Sequence, residues 1–285
     1  MNGLPDFIII GAGKCGTTSL HNYLNQHPQV YICPQKETFF FTDELTRQKN
    51  QVWGAVTNLS AYRALFTKAP PDMVRGEIST VYYAYPPSAQ TIYDLIPKVK
   101  LIAILRDPAN RAFSDYQMHY REGNENRDFA SLIHANNRYV KMGFYYAKLL
   151  PFFEIFEPQQ IKILFFSDLK DNPVNFIQEL FQFIEVDAQF IPNMKARARE
   201  GGLPKNQVVN SFLNQPNLLR STITRVVKLF VPVKLRQNFK SYLNQKNLSK
   251  TELHPSLRQE LIELYHDDIC QLQNIIKKDL SHWLQ

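Results

Sequence analysis

The sequence predicts a three-layer α/β/α fold around a central, mostly parallel sheet. Three observations carry that prediction. Apolar, β-branched runs at Phe7–Ile10, Val99–Leu105 and Ile161–Phe166 are nearly continuous rather than alternating, as expected of strands buried on both faces. Each run gives way to a loop and a helical pattern, so strand–loop–helix recurs along the chain. The composition also allows a large core: 44% of the 285 residues are hydrophobic, including 20 Phe and 14 Tyr. This length suits one domain spanning residues 1–285, and no repeat, low-complexity tract or linker divides it.

The elements follow in order. Phe7–Ile10 breaks at Gly11-Ala12-Gly13, and Thr17–Asn25 continues as a helix with Leu20, Tyr23 and Leu24 on one face. Val30–Ile32 is a short strand ended by Pro34. Residues 43–68 are polar and show no clear period. Met73–Ile78 reads as a third strand. Val99–Leu105 carries the strongest strand signal and ends at Arg106-Asp107-Pro108, with Pro108 suited to the first turn of a helix running to Glu122. A helical pattern around Tyr146–Phe156, the strand Ile161–Phe166 and a helix over Asn175–Ile184 come next. Ala188–Pro216 reads as loop, and helices over Leu218–Phe230 and Pro255–Lys278 close the chain.

The formal net charge is +7, which favours a polyanionic partner without choosing one. Cys15, Cys33 and Cys270 are too few and too scattered for a disulfide framework or a zinc site, so a reducing, cytoplasmic compartment is expected. His21, His27 and His119 show no ligand spacing, and no metal is called for. The apolar run Phe7–Ile10 is far too short to span a bilayer, so no stable membrane insertion is expected. No zinc-finger pattern, RNA-binding signature or dense basic tract points to nucleic acid. Arg220, Arg225, Lys228, Lys234, Arg236 and Lys240 lie among Val227, Leu229, Phe230 and Phe239, which reads as a helix with a solvated basic face.

Chemistry concentrates where strands end. Gly11-Ala12-Gly13-Lys14-Cys15-Gly16-Thr17-Thr18-Ser19 joins a strand to a helix. Glycines let backbone N–H groups turn toward an anion, and a helix N-terminus adds unpaired donors and a positive dipole end. The loop therefore predicts a P-loop-type phosphate cradle. In a nucleotide-triphosphate loop, Lys-Ser/Thr follows the second glycine. Here Thr17 stands in the lysine's place, and the lysine has moved into the loop as Lys14. The strand ending at Arg106 also lacks a metal-holding Asp at its end (Asp107 follows it). A small-molecule kinase using ATP·Mg is the alternative that this loop leaves open.

Lys14–Ser19 resembles the 5′-phosphosulfate loop of sulfotransferases that use 3′-phosphoadenosine 5′-phosphosulfate (PAPS). Leu101–Pro108, with Arg111, Ser114 and Tyr116 following, resembles their 3′-phosphate motif. Gln35-Lys36-Glu37-Thr38-Phe39-Phe40 and Gly76-Glu77-Ile78-Ser79 with Tyr82 and Tyr83 resemble two motifs of the heparan-sulfate type and its bacterial relatives. Gly143-Phe144-Tyr145 and the terminal Asp279–Trp283 are similar as well. Those relatives often carry His where Phe39 stands and Lys where Ile78 stands. Their late cofactor loop is represented by Gly201-Gly202-Leu203-Pro204-Lys205.

The resemblance implies a sulfuryl transfer from PAPS to a hydroxyl or amine of a glycan or small metabolite, releasing 3′-phosphoadenosine 5′-phosphate (PAP). It implies that Lys14, Cys15, Gly16, Thr17, Thr18 and Ser19 hold the 5′-phosphosulfate, with Lys14 also catalytic. Arg106, Ser114 and Lys205 would hold the 3′-phosphate, Arg106 through its guanidinium fork. Glu37 would be the general base. Glu77 and Ser79 would position the acceptor or the loop beside it, and Tyr82 and Tyr145 would lie on the acceptor side.

Overall fold

A computed structural model describes residues 3–194, 202–206, 209–210, 243, 246–249 and 251–285. The chain divides into two compact units. One comprises Met1–Pro108, Phe144–Ala198 and Tyr265–Gln285; the other comprises Ala109–Gly143 and Arg199–Leu264.

The first unit holds a five-stranded, all-parallel sheet. Its strands are β1 (Phe7–Gly11), β2 (Val30–Ile32), β3 (Val74–Ile78), β4 (Lys100–Leu105) and β5 (Ile161–Phe165), in the order β2-β3-β1-β4-β5. Every residue of β1 is buried, as is β4 from Leu101 onward. Such continuous burial matches a sheet covered on both faces. Helices α1 (Thr17–Leu24), α2 (Glu44–Lys49), α3 (Leu59–Ala64) and α4 (Ser88–Leu95) lie between these strands in sequence. The strand order makes β1 the switch point. The chain leaves it toward β3 and β2 on one side and later builds β4 and β5 on the other. In parallel α/β sheets, ligands bind beyond the carboxyl ends at such a point.

Register explains one glycine. Gly76 is the partner of Phe7 across β1 and β3, and a Cβ at Gly76 would fall inside the Phe7 ring. Overfilling a packed core costs about 1–3 kcal/mol. Gly76→Ala is therefore expected to lower the unfolding free energy, read from urea titration, by that amount, and an unchanged value would show that the sheet accommodates the methyl group.

The helix from Pro108 runs as predicted to Glu122 (α5). The remaining helices are α6 (Arg138–Lys141), α7 (Tyr145–Ile155), α8 (Phe166–Asp171), α9 (Pro173–Phe183) and α10 (Pro255–Ile276). Within the second unit, Phe113, Tyr116, Phe129 and Tyr139 pack edge and face, with Phe113–Phe129 centroids 5.2 Å apart and Tyr116–Phe129 centroids 5.0 Å apart. Arg111 is only 1% exposed. Its guanidinium donates to the Tyr139 carbonyl and to Asp115 Oδ2 at 3.3 Å.

Three features differ from the sequence reading. Residues 43–68 contain α2 and α3, each opened by a side-chain cap: Asp43 accepts from Thr46 N at 2.8 Å and Asn58 from Ala61 N at 2.9 Å. Their faces bury little, so periodicity gave no signal. Ser88–Leu95 is a helix although the reading placed none there. Leu203–Pro204 (β6) pairs antiparallel with Leu248–Ser249 (β7) inside a stretch expected to be loop; two residues are too few to carry a period. The basic segment Arg220–Lys240 and the helix expected over Leu218–Phe230 lie outside the described residues.

Candidate functional site

The phosphate loop follows β1, and Arg106 follows β4, its direct neighbour in the sheet. The loop turns through two left-handed residues, Lys14 at φ +72° and Gly16 at φ +85°. At Gly16 a side chain is excluded twice, by its φ and by Leu169: a Cβ would lie 2.7 Å from Leu169 Cδ2 and 3.2 Å from the Phe166 ring. Gly16 also opens α1, and no side chain caps that helix start. Its first-turn N–H groups and dipole end are left for an anion. Thr17 and Ser19 are buried, Thr18 is exposed, and Cys15 is fully buried with its thiol on the Gly13 carbonyl.

Arg106 reaches this loop directly. Its Nη1 donates to the Lys14 carbonyl at 3.4 Å, and its Cζ lies 4.9 Å from the Phe166 ring centroid. Phe166, the first residue after β5, thus touches both the Gly16 turn and the Arg106 cation. Sequence reading missed it, because a Phe at a strand end looks like ordinary core. Tyr145, expected to line the acceptor side, is fully buried and donates its hydroxyl to the Arg106 carbonyl at 2.8 Å. With no exposed surface and its hydroxyl on that carbonyl, the side chain is placed to fix the strand end that carries Arg106.

Glu37 sits in the loop after β2, held to the end of β3 by Glu37 N donating to the Ile78 carbonyl at 3.0 Å. Its Oε1 accepts from Thr80 Oγ1 at 2.8 Å and its Oε2 from Val81 N at 3.3 Å. Thr80 in turn lies against the phosphate loop, since a Cβ on Gly13 would be 3.7 Å from Thr80 Oγ1. Thr80 was not foreseen. Glu37 is half-buried, and that desolvation raises its carboxyl above the usual range. Hydrogen bonds from Thr80 and Val81 and the charge of Lys36 oppose the shift without cancelling it. Deprotonated, a carboxylate raised in this way is a stronger base than an ordinary one and is suited to take a proton.

Glu37 (φ +56°) and Phe39 (φ +58°) both occupy the left-handed region, which non-glycine residues rarely adopt. Thr38 between them is fully buried and supplies the anchor. Its Oγ1 donates to Glu77 Oε1 at 2.5 Å, and its N–H donates to Ser79 Oγ at 3.0 Å. Glu77 Oε1 also accepts from Ser79 Oγ at 2.6 Å and from Tyr82 OH at 2.8 Å; Oε2 accepts from Tyr62 OH. Glu77, Ser79 and Tyr82 are each 0% exposed. Their polar atoms are engaged with one another and with the loop that carries Glu37, which matches the loop-positioning role expected of Glu77 and Ser79 and gives Tyr82 the same surroundings. Among the remaining expected residues, Ser114 is half-buried on α5 and Lys205 is exposed, its N–H donating to the Asn247 carbonyl at 2.6 Å. Both belong to the second unit.

A glycine loop and an arginine at adjacent strand ends, with a held carboxylate across the loop, suit the binding of an anion and a proton transfer beside it. The family model for the sulfotransferase domain matches residues 4–197, and the chain belongs to that family. It is accordingly an enzyme of the PAPS-dependent sulfotransferase class. The Dictyostelium discoideum protein named membrane-associated sulfotransferase kil1 is 31% identical over 113 residues, 40% of this chain and 22% of that protein. Mouse heparan sulfate glucosamine 3-O-sulfotransferase 5 is 28% identical over 251 residues, 80% of this chain and 70% of that protein. The chain thus spans less than a quarter of the first of these relatives and most of the second. The crystal structure of a sulfotransferase from Alicyclobacillus acidocaldarius superposes with a TM-score of 0.73 at 26% identity, over 99% of both chains. Among the described residues, no helix is long and apolar enough to cross a membrane.

Proposed function

We propose that this enzyme moves a sulfuryl group from PAPS to a hydroxyl or amine of a glycan or small metabolite, with Glu37 as the general base. The observation that carries the reading is the contact between Arg106 and the Lys14 carbonyl. It joins the Arg106 guanidinium to the backbone of the loop that carries Lys14 and the uncapped helix start, a set of donors that suits a nucleotide bearing two phosphate groups. Similarity to a 3-O-sulfotransferase of heparan sulfate supports a glycan hydroxyl among the candidate acceptors.

PAPS supplies the sulfuryl group when bound. Backbone N–H groups from Gly16 to Ser19 hold its 5′-phosphate side, and the Lys14 ammonium offsets charge gathering there. Arg106, braced by Phe166 and Tyr145, forks onto the 3′-phosphate. Glu37 accepts the acceptor's proton, while Thr80 and Val81 N fix the orientation of its carboxylate. The four hydroxyl groups on Glu77 hold the loop in the left-handed turn that presents the base. Three free cysteines, two of them buried, support a reducing, cytoplasmic setting for the chain.

Calorimetry with PAP in EDTA and with ATP·Mg tests the donor. PAP is expected to bind without magnesium, and a preference for ATP·Mg would replace the reading with that of a kinase. Arg106→Ala is expected to weaken PAP binding by about 2–3 kcal/mol, the loss of one or two charge-assisted hydrogen bonds. Wild-type affinity in that variant would remove Arg106 from the phosphate pocket.

A further inference from the structure

A second cation stands beside the donor loop. Lys36 precedes Glu37, yet the two side chains diverge. The carboxylate turns to Thr80 and Val81, whereas the ammonium turns to Thr18, donating to its Oγ1 at 3.3 Å. Lys36 forms no salt bridge with any described residue. Thr18 lies in the first turn of α1, at the positive end of the helix dipole, where no side chain caps the backbone.

A half-buried ammonium at that end of a helix is unfavourable on its own. Burial lowers the Lys36 pKa, and the neighbouring Glu37 charge only partly offsets this. An anion held between the ammonium and the helix start would relieve both positive features at once. Thr18 takes one of the three ammonium protons, which leaves two donors for oxygens of a ligand. The anion's position follows from the loop. Lys36 meets the loop at Thr18, and Glu37 meets it through Thr80 beside Gly13, so both side chains border the same phosphate loop where the base acts. On that side the donor presents its sulfuryl group rather than its adenosine.

Resting on the sulfuryl-transfer reading above, we propose that Lys36 binds the oxygens of the transferred sulfuryl group and is a second catalytic lysine, complementary to Lys14 on the phosphate side. The acceptor-to-sulfur bond forms as the bond from sulfur to the bridging phosphate oxygen breaks. The electron pair of the broken bond stays with the phosphate, and the acceptor proton passes to Glu37. Lys36 keeps its proton throughout and acts only through charge and hydrogen bonding.

The test compares two nucleotides that differ only in that sulfuryl group. Binding of radiolabelled PAPS and of PAP is measured in EDTA, without acceptor, for the wild type, Lys36→Met, Lys36→Gln and Lys36→Arg. The Met and Gln variants are expected to lose about 10- to 100-fold in PAPS affinity while PAP affinity stays within about threefold, and Arg is expected to recover most of the loss. Retained PAP binding also reports that each variant is folded. An equal loss for both nucleotides, or unchanged PAPS affinity, overturns the assignment of Lys36. Failure of the wild type to bind PAP would instead overturn the donor reading itself.

Discussion

Glu37→Gln is expected to lower kcat by about 10²- to 10⁴-fold while leaving PAP affinity intact. The amide keeps the size of the side chain and can still accept from Thr80 Oγ1, but it cannot take a proton. The residues proposed to hold PAP follow β1, β4 and β5, so losing the base is not expected to disturb them. The pH profile carries a second expectation. The base works deprotonated, and burial raises the Glu37 carboxyl above the usual range. Activity should therefore fall on the acid side at a pH above that of an ordinary carboxylate, and the Gln variant should lack this limb. Unchanged kcat, or an acid limb that survives in the variant, would move the base role elsewhere.

Glu77→Ala is expected to be the most destabilising single change in the loop's support, by about 3–5 kcal/mol. It would leave the hydroxyls of Thr38, Ser79, Tyr82 and Tyr62 without the acceptor they share in a site with no access to water. Urea unfolding reads the loss directly. A change below about 1 kcal/mol, the worth of a single ordinary hydrogen bond, would mean that the network rearranges around the gap.

The donor half of the site was legible in the sequence because its signals are local. Gly11–Ser19 couples a strand, a glycine turn and a helix start within nine residues, and Arg106 closes the strongest apolar strand in the chain. The elements of the sheet were legible for the same reason, since continuous apolar runs mark buried parallel strands. The acceptor half was not. Thr38 meets Ser79, Glu77 and Tyr82 across separations of 41, 39 and 44 residues, and nothing in either segment alone predicts which hydroxyl points at which carboxylate. Motif likeness placed Glu77, Ser79, Tyr82 and Tyr145 near the chemistry but could not separate a side chain that touches a ligand from one that holds the loop or strand beside it. Burial made that separation. Lys36 was overlooked because a lysine beside a glutamate reads as a solvated pair, whereas the two side chains part company around the loop.

The strand order β2-β3-β1-β4-β5 sorts the labour of the site. The residues proposed to hold the two phosphate groups follow the central strand and the two beyond it on one flank, while Lys36, the proposed base and its scaffold of hydroxyls issue from the opposite flank. Such a partition lets a lineage, or an engineer, vary the rest of the β2–β3 flank to recruit new acceptors so long as Lys36 and Glu37 are kept in place.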